Sequence, residues 1–259
     1  MCIRDSLGIG VDIIENNRIK KSIQNNKFKT RVYSSNELKL SKNVKNKVAY
    51  FSKRFAAKEA FSKALGTGFS ENLNFKDIEI VSDKKGNVEQ WSYNNDESSP
   101  EIKFERKLRF SSLVEGIVAD ESKGKVYIGQ ERKGIWEINV FPTTDEERKL
   151  IFKKNKFFKP DFEGLALRDD GDSKGYLISS VQGSNGYLLI DRESLKAKTF
   201  FRVISGETID GTTETDGIDV TSISTKKFPK GFFIAQDDDN DGLNQNFKLV
   251  DWRKIINEN

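Results

Sequence analysis

The chain has 259 residues, enough to bury one sizeable core or two smaller ones, and carries 44 Lys+Arg against 40 Asp+Glu. It has no histidine, and its one cysteine is Cys2. That excludes Ser-His-Asp and Cys-His catalysis, a phosphohistidine intermediate, an internal disulfide and a cysteine-based zinc site.

Chemistry here must run on carboxylates, Lys/Arg, hydroxyls, or hard cations held by oxygen. Charge is unevenly spread: residues 1–87 carry 18 Lys+Arg against 9 Asp+Glu, and the remainder 26 against 31. The basic part suits an acidic or phosphate-rich partner and the acidic part suits divalent cations. No apolar run approaches the roughly 18 residues of a spanning helix, so no membrane is expected. No nucleic-acid partner is expected either. "MCIRDS" lacks an apolar h-region, so the chain as written is expected in the cytoplasm.

In chain order, "GIGVDII" reads as a β-branched strand interrupted by Asp12. That carboxylate is either the cap of the following helix or a metal ligand, because an unpaired acid in a strand is costly. "KVAYFSKRFAAKEAFSKALGTG" is the strongest helical pattern, with Val48, Phe51 and Phe55 on one face and Gly66 and Gly68 as a stop. Continuing that face by four residues reaches Glu59, with Arg54, Lys58 and Lys63 around it. Two readings stay open: a Glu59–Lys63 surface pair, or a metal-binding carboxylate beside phosphate-neutralising cations. "DIEI" reads as a strand.

The order "GIGVDI", "RFAAKEAFSKALGTG", "DIEI" resembles the holo-acyl-carrier-protein synthases, the small phosphopantetheinyl transferases. The resemblance implies an α+β fold over residues 7–83 and a homotrimer. It implies Mg²⁺-dependent transfer of 4′-phosphopantetheine from coenzyme A to acyl carrier protein, a step serving fatty acid biosynthesis. It makes Asp12 and Glu59 the Mg²⁺ ligands, Glu59 also a group acting on the attacking serine, and Arg54, Lys58, Lys63, Gly66 and Thr67 the coenzyme A contacts. Arg18, Lys20 and Lys21 match the carrier-docking helix, or form an ordinary basic face. Family members continue into a histidine-bearing segment that has no counterpart after Val81.

From "GNVEQWSY" onward the pattern is short strands separated by Gly- and Asp-rich turns, which predicts a sandwich, barrel or propeller. Carboxylates recur at strand edges beside glycine: Glu115, Glu131, Asp161, Glu163, Asp216 and Asp219. Singly these are turn residues; together they suggest a multi-calcium site. "DDDNDG" begins like an EF-hand loop, but Lys248 stands where the bidentate Glu is required, so an EF-hand is rejected.

The ordered set "EGIVADESKGKVYIGQERKGIW", "DFEGLAL", "GYLISSVQGSNGYLLIDR", "ETDGIDV" and "FFIAQDDDND" through "NQNFKLVDW" resembles the β-propeller phytases. That implies, over residues 84–259, an all-β partial propeller of about three blades. The implied activity is Ca²⁺-dependent phosphomonoester hydrolysis of phytate, inositol hexakisphosphate. The resemblance makes Glu115, Glu131, Asp161, Glu163 and Asp216 calcium ligands, Glu131 also catalytic, and Gln182 and Arg202 substrate contacts. Gln130 and Arg132 replace acids expected on either side of Glu131. Phytases of this kind are exported, whereas carrier modification is cytoplasmic. Because "DKKGN" fits both families, the sequence reads as a chimera of two truncated enzymes joined there. Impaired activity is expected from both, the alternative being a Ca²⁺- or phosphate-binding half-propeller.

Overall fold

The computed structural model describes residues 14–64, 69, 74–80, 86–94, 101–142, 148–158, 161–240 and 245–256. The chain divides into two compact units, Met1–Ser82 and Asp83–Asn259. Among the described residues regular structure is mostly β: four small antiparallel sheets and few helices, consistent with a propeller-like arrangement. No helix among the described residues is long and apolar enough to cross a membrane.

The first unit holds α1 (Asn16–Ser22), α2 (Asn26–Val32), α3 (Ser35–Leu40) and α4 (Lys47–Ala64). Its core is Ile19, Val32, Tyr33 and Phe51, with Phe28, Phe55 and Phe75 against them. On α4 the 3.6-residue period from Phe51 runs through Arg54 and Lys58 to Ser62, all buried. Glu59 is only half-buried, so the charged residue continuing the apolar face is Lys58, not Glu59. The expected strand at "DIEI" is also corrected. Phe75–Asp77 is a 3-10 turn, and no strand is assigned to Ile78–Ile80. Glu37 explains why: its buried carboxylate accepts the Ile80 N–H at 3.1 Å and the Lys58 ammonium at 2.7 Å. It also closes a capping box with Ser34. The backbone donor that a neighbouring strand would use is spent on a side chain.

The second unit opens with a hairpin, β1 (Asn87–Asn94) and β2 (Glu101–Arg109). Three meanders follow. The first is β3 (Val114–Asp120), β4 (Lys125–Gln130), β5 (Gly134–Asn139) and β6 (Arg148–Lys153). The second is β7 (Phe162–Asp169), β8 (Gly175–Val181), β9 (Gly186–Asp191) and β10 (Ala197–Phe201). The third is β11 (Ile218–Thr221), β12 (Phe232–Asp237) and β13 (Asn246–Asp251), followed by α5 (Trp252–Ile256). Strand β6, "RKLIFK", escapes pattern reading because its three apolar residues are contiguous and flanked by cations, with no period-two alternation.

The sheets pack face to face through alternate side chains. Tyr127 and Ile135 of the first meander meet Phe162, Leu165, Leu177, Leu188 and Ile190 of the second. Their strand neighbours Ile178, Tyr187 and Leu189 face Phe233, Ala235 and Trp252 instead. The middle meander is therefore buried on both faces, which is why "GYLLI" is continuously apolar. Each such large side chain contributes roughly 1.5–3 kcal/mol by burial.

One buried ion pair ties the first two meanders at their far end. Arg192 grips Asp120 bidentately, Nε to Oδ2 at 2.8 Å and Nη2 to Oδ1 at 2.7 Å, and its Nη1 reaches Asp169 at 2.7 Å. Burial opposes ionisation of Asp120, but the Arg192 hydrogen bonds and charge, with Ser122 and the Lys123 N–H, outweigh it and hold the carboxyl below its ordinary value. Asp120→Ala strips the buried Arg192 of its bidentate partner and leaves only the more exposed Asp169 as counter-charge, with an expected cost of about 3 kcal/mol in urea unfolding. A carboxyl held low contributes stability above its unfolded pKa, near 4, and loses it as the pH falls through the folded value. The wild-type stability lead over Asp120→Ala should therefore shrink only in acid below about pH 4.

Candidate functional site

Glu115 lies at the start of β3, Glu131 just past β4, Asp161 and Glu163 at the start of β7, and Asp216 just before β11. Antiparallel pairing puts the start of β3 beside the end of β4, and both β3 and β11 pack on β7. All five carboxylates thus gather at one end of three successive sheets. The register of β3 slips between Val114 and Ile117, and that of β7 between Phe162 and Leu165. Each bulge contains a Glu-Gly pair, and a bulge re-aims its side chains out of the regular alternation.

The glycines set the spacing. A methyl group on Gly116 would overlap the carbonyl oxygen of Glu163, and one on Gly164 would lie 2.5 Å from that of Asp216. Only glycine lets the three leading strands come this close. Backbone bonds lock the junctions, Phe162 N–H donating to Glu131 O at 3.1 Å and Gln182 N–H to Asp161 O at 3.0 Å.

Carboxylate oxygens of Glu131, Asp161 and Glu163 lie within 4.8 Å of one another. Burial pushes Glu163 up to about 7, reinforced by the charges of Glu115, Asp216, Asp161 and Glu131. Burial likewise raises Glu131, with Asp161 adding charge and a hydrogen bond while Arg132 opposes. Repulsion of this size among hard oxygen donors is relieved by a divalent cation, and the donor set fits calcium.

The neighbours of Glu131 have other work. Gln130 is buried and bonded to Trp136 Nε1 at 3.0 Å and to the hydroxyls of Ser111 and Ser112, so its neutral amide is a packing element. Asp219, grouped with the other acids on sequence, is exposed, and its carboxylate accepts the Val220 N–H at 2.8 Å. It falls inside β11, two residues past the segment that carries Asp216 and Gly217. Gln182, expected on substrate, donates instead to Asp216 Oδ1 at 2.6 Å. Arg202 donates to Ser184 O at 3.2 Å and stacks on Phe200.

In the helical unit Asp12, Gly66 and Thr67 lie outside the described residues. Lys58 was expected on coenzyme A, but it is fully buried. Its ammonium donates to Glu37 Oε2 at 2.7 Å, Val32 O at 2.9 Å and Phe75 O at 3.0 Å. All three N–H donors are used, so none remains for a phosphate. Arg54 is buried over the Tyr50 ring at 3.6 Å, while Glu59 is half-buried and Lys63 exposed. Glu37, which organises these cations, was missed on sequence; its signal was the capping box "SSNE".

A pH dependence follows from Glu163. A carboxyl raised on folding destabilises the native state increasingly as pH rises from its ordinary value near 4.5 to about 7. In chelator, wild-type melting temperature should fall across that window, whereas Glu163→Gln should flatten the profile and melt higher than wild type at the alkaline end.

Comparison with known proteins places this geometry. A family model for phytase matches residues 26–258, beginning within the helical unit, before the first sheet. The chain is 33% identical over 241 residues to a 3-phytase of Bacillus subtilis, covering 90% of this chain and 59% of that protein. It is also 65% identical over 80 residues to a holo-[acyl-carrier-protein] synthase of Pelagibacter ubique, covering 31% of this chain and 62% of that one. A synthase of Bacillus cytotoxicus is 48% identical over 83 residues, 70% of its length. The chain thus spans about three fifths of the first two relatives. With its carboxylate rim on three meanders and these matches, the chain belongs to the phytase family and carries, in addition, a holo-[acyl-carrier-protein] synthase segment.

Proposed function

We propose that the β unit is the calcium-dependent hydrolytic part of a phytase, built as about three propeller blades and acting on the phosphomonoesters of inositol hexakisphosphate. The observation that carries this reading is the convergence of five carboxylates from three sheets, three of them within 4.8 Å. Calcium bound there would screen substrate phosphates and supply a polarised water. Glu115, Asp161, Glu163 and Asp216 hold the ions. Glu131, half-buried at the rim with a raised pKa, is the group suited to accept a proton from water. The Arg202 guanidinium, anchored beside the Gln182–Ser184 turn, is the candidate phosphate contact.

For the helical unit we propose Mg²⁺-dependent transfer of 4′-phosphopantetheine from coenzyme A to acyl carrier protein, with Glu59, Arg54 and Lys63 as site residues and Lys58 omitted; its similarity to holo-[acyl-carrier-protein] synthases supports the transfer at family level. One observation favours reduced turnover in the β unit. The outer face of the last sheet leaves Phe247 and Leu249 half-exposed, an apolar surface of the kind the other meanders bury against each other. The second reading is a half-propeller that binds calcium without hydrolysis.

Phosphate release from phytate should require Ca²⁺, stop in chelator, and fall on the order of a hundredfold or more in Glu131→Gln and Glu163→Gln. Hydrolysis undiminished by chelation would overturn the proposal. Calcium-dependent thermal stabilisation without phosphate release would select the binding reading. Separately, incubating the chain with apo-carrier protein, coenzyme A and Mg²⁺ should load the carrier, and Glu59→Gln should abolish loading.

A further inference from the structure

Asp216 differs from the other rim carboxylates: it is exposed and sits in an irregular segment rather than in a strand or bulge. Nothing in regular secondary structure aims it at the cluster, yet its charge reaches Glu163. Its main chain is held by one side chain. Gln236, on β12, accepts the Asp216 N–H on its side-chain amide oxygen at 2.9 Å, while its backbone N–H donates to Gly217 O at 2.9 Å. The amide orientation is fixed, because only the oxygen accepts from an N–H. From the second meander, Gln182 Nε2 grips the Asp216 carboxylate at 2.6 Å.

We propose that Gln236 is a positioning residue that holds Asp216 in the calcium-binding rim, the third sheet thereby completing a site begun by the first two. This rests on the calcium reading above. Metal ligands depend on such outer partners for orientation, and loss of one typically costs ten- to a hundredfold in affinity. The clamp is separable from folding. The same segment is anchored independently where the Thr215 and Thr212 hydroxyls meet the buried Tyr187 hydroxyl at 2.8 and 2.7 Å, and where Thr213 N–H donates to Asp237 at 3.0 Å. Gln236 itself is only half-buried.

The test uses the full chain, Ca²⁺ as probe, calorimetric titration for affinity and melting in chelator for the fold. Gln236→Leu removes the acceptor at similar size and should weaken Ca²⁺ binding about tenfold or more, with melting in chelator within a few degrees of wild type. Gln236→Glu keeps an acceptor and should restore affinity to within a few-fold of wild type. Wild-type affinity in Gln236→Leu, or equal weakness in both variants, overturns the proposal. A large melting loss in chelator would make Gln236 merely structural and also overturns it. If wild type binds Ca²⁺ and Asp216→Asn binds it equally well, this inference fails alone. If wild type binds none, the calcium reading fails with it.

Discussion

The β unit is organised around a repulsion. Five carboxylates are brought to one end of three sheets, close enough that burial and mutual charge push Glu163 up to about 7. Nothing about carboxylates favours this; the backbone enforces it. Gly116 and Gly164 let β3, β7 and β11 approach until a single methyl group would collide with a neighbouring carbonyl, and the bulges at the Glu-Gly pairs turn the side chains to the rim. The hydrophobic faces behind them supply the opposing energy. Tyr127, Phe162 and Leu177 on one side, and Tyr187, Phe233 and Trp252 on the other, hold the sheets at a spacing the acids alone would refuse.

The same logic divides the ends of the sheets by role. At the rim, acids face acids. At the far end, Asp120 is neutralised internally by Arg192, with Asp169 and Ser122 completing the guanidinium's partners. One end is paired and closed, and the other is strained and open, which is the asymmetry expected of a stack with a working face.

In the helical unit a buried charge also decides the local structure, with the opposite outcome. Glu37 gathers Lys58, the Ser34 N–H and the Ile80 N–H, so a lysine that sequence placed on a nucleotide is part of the core. Adjacent positions on one helix turn decide the matter: the 3.6-residue period buries Lys58 and leaves Glu59 half-open. Reading by fours from Phe55 reaches Glu59, whereas the buried face runs through Lys58.

The sequence by itself determined the two family segments, the basic and acidic halves, the strong helix at Lys47–Ala64, most strands, and all five rim acids. These are legible because turn glycines, apolar alternation and carboxylate-glycine pairs are local signals carried on adjacent residues. Tertiary structure alone decided which acids share a site and which, like Asp219, do not. It also decided that Gln182 and Gln236 serve Asp216, that Gln130 packs against Trp136, and that Lys58 is spent on Glu37. The contacts of Asp216 and Lys58 join residues twenty or more positions apart, set by how closely sheets and helices can pack, and no local pattern encodes that distance.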